Sequence, residues 1–330
     1  MVNLDEGRLR AQLGKREVFN ARSLILTGDV LGMTVAHLLL PLFQEECGIF
    51  MGCRVASPLE LAAYATASSL GTGEPDSPWI LAVGGDGSDA CLTRALEKAA
   101  GLGAFTVLAA CGPGPEAAKA ASRTLEVEPE QGEDALLALC AEAVGVACRI
   151  ADVKRRTAPL AFSRWGGAWR EYAGQVEKAL SEQEETLENF ALQWSECGTF
   201  ESVGDGGCSG AARYAAWKVL EKSGVPSCAY DGEDWCHIPF FRRAPETIGT
   251  LFFGRSSSNA WERERESLEM ALRIGRNVGL ITDVGACGFP GAQILRLPAP
   301  PEEFSWLFAP FAAAAVRAAA ERMRGGANDF

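Results

Sequence analysis

Short apolar and β-branched runs recur along this chain. Each is closed by a turn rich in glycine or aspartate and followed by a longer stretch whose apolar positions have helical spacing. Uninterrupted apolar runs of this kind suit strands buried on both faces of a parallel sheet. In the first half the pattern predicts strands at 23–26, 49–55, 79–83, 105–110 and 124–127. Residues 5–19 read as a polar helix ahead of them. Further helices are expected over 30–45, from Ser57-Pro58 onward, from the Gly84-Gly85-Asp86-Gly87-Ser88-Asp89 turn to Ala100, and over 132–144. At Ser57-Pro58 the signature is specific: Ser57 as N-cap, Pro58 in the first helical position and Glu60 in the third. Between about Lys154 and Glu196 strand-like runs vanish, and 165–192, rich in Glu, Gln, Lys, Ala and Leu, reads as one long helix or a pair. Alternation resumes with strands at 199–203, 226–229, 248–253 and 278–282. Helices are expected from the Gly204–Gly207 turn to about Lys222, over 261–274 and over about 301–324.

The halves follow one plan. LAVGGDGSDACLTRALEKAAGLGAFTVLA in the first runs parallel to LFFGRSSSNAWERERESLEMALRIGRNVGLIT in the second. The period is too long for a solenoid and implies two similar domains. Strand–helix alternation predicts α/β architecture with two parallel sheets. The expected segments are an N-terminal helix (1–20), a first domain (21–151), a helical linker (152–196) and a second domain (197–330).

Composition narrows the function classes. A net charge of −12 argues against nucleic acid or an anionic membrane as partner. No signal pattern opens the chain, and no apolar run approaches the roughly 20 residues of a membrane helix. The longest candidate, 308–315, is soon followed by Arg317. The 11 cysteines are odd in number with no C-x-x-C pair, and there are only two histidines, so a zinc site is not expected. This usage fits a reducing cytoplasm. Cys208, opening a helix, has two readings: a thiol acidified by the helix N-terminus, or a small buried hydrophobe.

Candidate chemistry concentrates in 199–241. Glycines after the strand at 199–203 let backbone approach a ligand, and the following helix offers free N–H groups to an anion. On that helix Tyr214, Lys218 and Glu221 are spaced i, i+4, i+7 and share a face. His237 follows in the polar tail, beside Glu233 and Asp234. A lysine, a glutamate and a histidine near one glycine turn suit acid–base chemistry on a sugar or carbonyl compound. The alternative is a surface ion pair and a loop histidine.

From about residue 20 to 320 the chain resembles the tandem sugar isomerase (SIS) family, especially the isomerase half of glucosamine-6-phosphate synthase and the fructosamine deglycases, with no glutaminase segment ahead of it. The match is sharpest in K-x-x-E followed sixteen residues later by histidine: Lys218, Glu221 and His237. Asp234-Trp235-Cys236-His237-Ile238-Pro239 stands where related deglycases have E-F-x-H-G-P. The resemblance implies two flavodoxin-like SIS domains, no cofactor, a sugar or phosphosugar ligand and a homodimer with shared sites. It also implies roles: Glu221 as the base moving a proton between sugar C1 and C2, with His237, donated by the partner subunit, assisting ring opening.

The first domain departs from that pattern. The family's phosphate-cradling S-x-S-G-x-T is here Gly84-Gly85-Asp86-Gly87-Ser88-Asp89, with two acidic residues that would repel a dianion. The family's serine after the first strand is Val30, its V-A-S-T-K segment is Gly132-Glu133-Asp134-Ala135, and the synthases' C-terminal lysine is missing. Substrate contacts are expected at Gly28, Asp86, Ser88, Asp89, Gly204, Gly206, Ser256 and Ser258. The serines beside Arg255 bind an anion or cap the next helix, and for at least one the cap is the expectation. Three functions compete. The first is an aldose–ketose isomerase or deglycase acting on an amino sugar or sugar–amine adduct. The second is a non-catalytic sugar-binding or regulatory paralogue. The third is a dinucleotide binder using Gly204-x-Gly206 with Asp231 on the ribose, weakened because Ser209 replaces the third glycine.

Overall fold

The computed structural model describes residues 6–47, 51–73, 77–85, 88–129, 134–154, 162–285 and 288–323. Asp86, Gly87 and the segment 130–133 lie outside these. The chain divides into two compact units, Met1–Gly167 and Ala168–Phe330.

In the first unit α1 (Glu6–Gln12) and α2 (Lys15–Asn20) lead into β1 (Ala21–Gly28). The single helix expected over 5–19 is therefore two. Buried Arg149 takes the Leu13 carbonyl at the break, donating from Nε at 3.1 Å and Nη2 at 3.0 Å. There follow α3 (Val30–Cys47), β2 (Gly52–Val55), a wide π-type turn at Glu60–Tyr64, α4 (Ala67–Leu70), β3 (Ser77–Gly84) and α5 (Ala90–Gly101). Then come β4 (Phe105–Ala110), α6 (Pro115–Ala120), β5 (Arg123–Glu126) and α7 (Ala135–Lys154). Ser57 caps as expected, its hydroxyl accepting from Glu60 N–H at 3.1 Å. The strands form one parallel sheet, ordered β2-β1-β3-β4-β5. Central β3 is buried through Trp79-Ile80-Leu81-Ala82-Val83. Helix α7 runs well past its expected end at Val144 because it is buried on nearly every side, so no polar stripe marks where it stops.

Helix α8 (Phe162–Ser181) spans the boundary between units. The second unit continues with α9 (Glu184–Glu196), β6 (Thr199–Val203), α10 (Cys208–Ser223), β7 (Ser227–Tyr230) and α11 (Gly232–His237). Two single helical turns, Pro239–Phe241 and Pro245–Thr247, precede β8 (Ile248–Gly254), α12 (Trp261–Arg273), β9 (Asn277–Thr282) and β10 (Gln293–Arg296). The stretch expected as one helix over 301–324 is a 3₁₀ segment, Glu302–Leu307, and then α13 (Phe308–Ala320). The sheet is again all parallel, ordered β10-β9-β8-β6-β7.

Counted from the first strand of each unit, both orders are 2-1-3-4-5, the flavodoxin-like arrangement. The fold is therefore the expected α/β fold with two parallel five-stranded sheets. In such sheets the chain reverses its winding between the first and third strands, and the carboxyl ends of those strands open a crevice. Here the crevices fall between β1 and β3, and between β6 and β8. No described helix is long and apolar enough to cross a membrane.

Candidate functional site

At the first crevice, β1 ends in Gly28-Asp29 and α3 begins at once. A Cβ on Gly28 would stand 2.3 Å from the Val83 carbonyl oxygen and 2.7 Å from the Gly32 Cα. Gly28 is thus required for α3 to close against β3. The close approach positions Asp29. One of its carboxylate oxygens accepts from Gly32 N–H at 2.8 Å and the other from Gly85 N–H at 2.6 Å. These two amides, one in the first turn of a helix and one in the turn after the third strand, are donors an anion would use. Here the chain's own carboxylate takes them. Asp89 caps α5, accepting from Leu92 N–H at 2.7 Å, with Ser88 exposed just before it. Asp86 lies outside the described residues.

At the second crevice the corresponding Gly204-Asp205 reaches elsewhere. Gly204 again permits a tight turn, since a Cβ there would meet the Cys208 carbonyl oxygen at 2.5 Å, and Gly206 has φ +54°. Asp205, however, accepts from Gly232 N–H at 3.1 Å, in the turn after β7. The turn after β8 is gripped from the other side: Asp283 accepts both the Ser256 N–H and its hydroxyl. The Ser258 oxygen accepts from Ala260 N–H at 3.1 Å while its hydroxyl donates to Glu264 at 3.3 Å, and α12 itself starts after Ala260 without a side-chain cap.

Between these turns the electrostatics are strained. Glu264 is 5% exposed, and its Oε2 has no hydrogen-bond partner. Burial, reinforced by Asp205, pushes its carboxyl up to about 7, while the Ser258 hydroxyl and Arg255 act in the opposite sense. Burial also raises Asp205, with Asp231 and Glu233 adding to it. Cys208 is buried and its thiol is pushed up to about 12; Arg255 opposes, but Glu264, Asp283 and Asp205 add to the rise. Of the two readings of Cys208, the packed hydrophobe fits and the acidified thiol does not. Glu264 was missed in the sequence although a signal was present: it shares a helix face with Ser267, Leu268 and Ala271, all buried.

Lys218 and Glu221 pair on α10, and His237 closes α11. Lys218 Nζ and Glu221 Oε2 lie 2.8 Å apart, with side chains 22% and 54% exposed. The ammonium also sits 5.6 Å from the Tyr214 ring centroid. Because α10 links two parallel strands, β6 and β7, it runs back against them, and Glu221 in its last turn falls toward the amino edge. His237 Nε2 contacts Glu233 Oε1 at 2.8 Å on an exposed face, and Arg263 donates to the other Glu233 oxygen at 3.0 and 3.1 Å. The His237 contact and Arg263 hold the Glu233 carboxyl below its ordinary range. The structure therefore joins Lys218 to Glu221 and attaches His237 to another acid. Among the described residues no group of three or more His, Cys, Asp or Glu side chains could hold a metal.

With this geometry in view, no protein-family profile matches the chain and no curated protein matches it. Solved structures do. The C-terminal domain of glucosamine-fructose-6-phosphate aminotransferase from Francisella tularensis aligns with a TM-score of 0.79 at 13% identity, covering 96% of this chain and 92% of that one. The likeness is one of fold. Tagatose-6-phosphate ketose/aldose isomerase from Escherichia coli gives 0.70 at 15% identity, over 96% and 86% of the two chains. Glucosamine-6-phosphate deaminase from Thermotoga maritima gives 0.68 at 14%, over 95% and 93%.

Proposed function

We propose that this chain acts on an amino sugar or sugar–amine adduct, moving a proton between C1 and C2 as an isomerase or deglycase does. Glu221 is the base, Lys218 holds and polarises it, and His237 of a second copy assists ring opening. The observation that carries this reading is the Lys218–Glu221 pair: a carboxylate steadied at 2.8 Å by an ammonium yet still half open to solvent. A base must reach the proton it moves, and a half-exposed carboxylate keeps that access. The fold shared with proteins named for glucosamine 6-phosphate and tagatose 6-phosphate supports the ligand class. Residues 21–151 and 197–330 then serve as two SIS domains joined through 152–196, in a homodimer. The filled amides at Asp29 favour a ligand not anchored there by phosphate. The carboxylate takes a carbon-bound proton, an enediol or enaminol forms while a second proton moves between the two heteroatoms, and the proton held on half-exposed Glu221, open to exchange with solvent, is delivered to the neighbouring carbon.

The test is solvent-deuterium exchange at sugar C2, followed by NMR. Wild type is expected to exchange an amino sugar. Glu221→Gln should slow exchange by roughly 10²–10⁴-fold while sugar binding persists. Absence of exchange in wild type would leave the second reading, a non-catalytic sugar-binding or regulatory protein. The attachment of His237 to Glu233 rather than to the Lys218–Glu221 pair favours that reading.

A further inference from the structure

At the amino edge of the second sheet a cleft of about 360 Å³ opens between the last turns of α9 and the starts of four strands. Its lining includes four carboxamides, Asn189, Gln193, Asn277 and Gln293, and two carboxylates, Glu196 and Glu246. No lysine or arginine is among its lining residues. Asn189, Leu192 and Glu196 also border a neighbouring hollow of about 600 Å³, whose cation is Arg322. Gln193 and Gln293 each keep a buried side-chain oxygen without a hydrogen-bond partner. Other groups in the lining are already fixed: Asn277 donates to the Glu246 carbonyl at 2.8 Å, and the Thr247 carbonyl accepts from Gly198 N–H at 2.8 Å.

We propose that this cleft is a binding site for an unphosphorylated sugar or amino sugar, separate from the Lys218–Glu221 pair. The volume suits a monosaccharide. Carboxamides give and accept hydrogen bonds in one plane, which suits the alternating donors and acceptors of a polyol. Two carboxylates without a cation disfavour a phosphate by like-charge repulsion. The proposal shares its ligand class with the function proposed above but none of its residues.

The test is titration of the ¹⁵N-labelled full chain with glucose, glucosamine and glucose 6-phosphate, following the side-chain amide signals. The expected result is saturable shifts of the Asn189, Gln193, Asn277 and Gln293 amides with the first two sugars, and about tenfold weaker binding of glucose 6-phosphate. Gln293→Leu should weaken glucosamine binding about tenfold with the fold unchanged by circular dichroism; if that variant does not fold, Gln193→Leu on α9 replaces it. A cleft filled by water only, with no saturable shift of those amides up to the solubility limit of the sugar, would overturn the proposal. Equal affinity for the phosphorylated sugar, or unchanged affinity in the folded variant, would do the same. Failure of the Glu221 chemistry shows instead as absent C2 exchange, so the two outcomes are distinguishable.

Discussion

The two crevices begin from the same Gly-Asp pair at the end of their first strand, yet that aspartate bridges in opposite directions. In the first unit Asp29 reaches toward the third strand and ties Gly85 to the start of α3. In the second Asp205 reaches toward the second strand and bonds Gly232, leaving the turn after β8 to Asp283. The first crevice is thereby bridged by a carboxylate that satisfies its own anion donors. In the second, Asp205, Asp283 and buried Glu264 crowd around Arg255 and Cys208, and burial raises the pKa of Glu264 and of Asp205. The same topology thus yields a closed crevice in one unit and an electrostatically strained one in the other. What decides between them is which neighbouring amide lies within reach of a single carboxylate.

The interiors differ in the same sense. At the position matching Ile25 of β1, strand β6 carries Glu201, fully buried. It receives the Trp235 indole N–H at 2.9 Å, Arg276 at 3.3 Å and Arg242 at 3.1 Å, and so ties the 235–242 segment to the sheet. The sharpest way to break the comparison is Glu201→Ala. It strands the Arg276 guanidinium in the interior, where burial already lowers its pKa. A loss of roughly 3–5 kcal/mol is expected by denaturant melting. Ile25→Val in the first unit should cost only about 1 kcal/mol. Equal losses would refute the assignment of Glu201 as a charged anchor.

The next effect depends on pH. Glu264 keeps its proton in the folded state up to about 7, whereas the unfolded chain loses it near the ordinary carboxylate value of 4.5. Its contribution to stability is therefore full below about pH 4.5 and fades as pH rises through 7. The amplitude is about 3 kcal/mol at most. Glu264→Gln should flatten this part of the stability–pH profile between pH 5 and 8 and raise the melting temperature at pH 8. A profile parallel to wild type would show that Glu264 is solvated in solution.

The smallest effect sharpens the comparison from the first unit. Asp29→Ala frees the Gly32 and Gly85 amides and should cost about 1–2 kcal/mol. Inorganic phosphate should then recover part of that loss in a thermal-shift assay, since a ligand of the native state stabilises it. Wild type should show no such phosphate response at this crevice. A phosphate response identical in both proteins would mean that Asp29 is not what fills the anion position.

Most strands were legible because burial on both faces demands uninterrupted apolar runs, as in 79–83, 105–110 and 199–203. The four-residue edge strand β10 was not, since it pairs on one side only and its sequence, QILR, carries little apolar signal. Helix α6, six residues of which half are alanine, was missed as well. Among the site residues, the Lys218–Glu221 contact followed directly from helical spacing. Its place at the amino edge did not, because that depends on the direction of α10 between two parallel strands.

The sequence alone determined the alternation of strands and helices and the local pairs, since period, caps and i, i+3 spacing are properties of neighbouring residues. Only the tertiary structure decided where the carboxylates spend their hydrogen bonds. Asp29 meets Gly85 across 56 positions and Asp205 meets Gly232 across 27. A carboxylate accepts from whichever N–H the packed strands bring within about 3 Å, and that choice is made only once the sheets have formed.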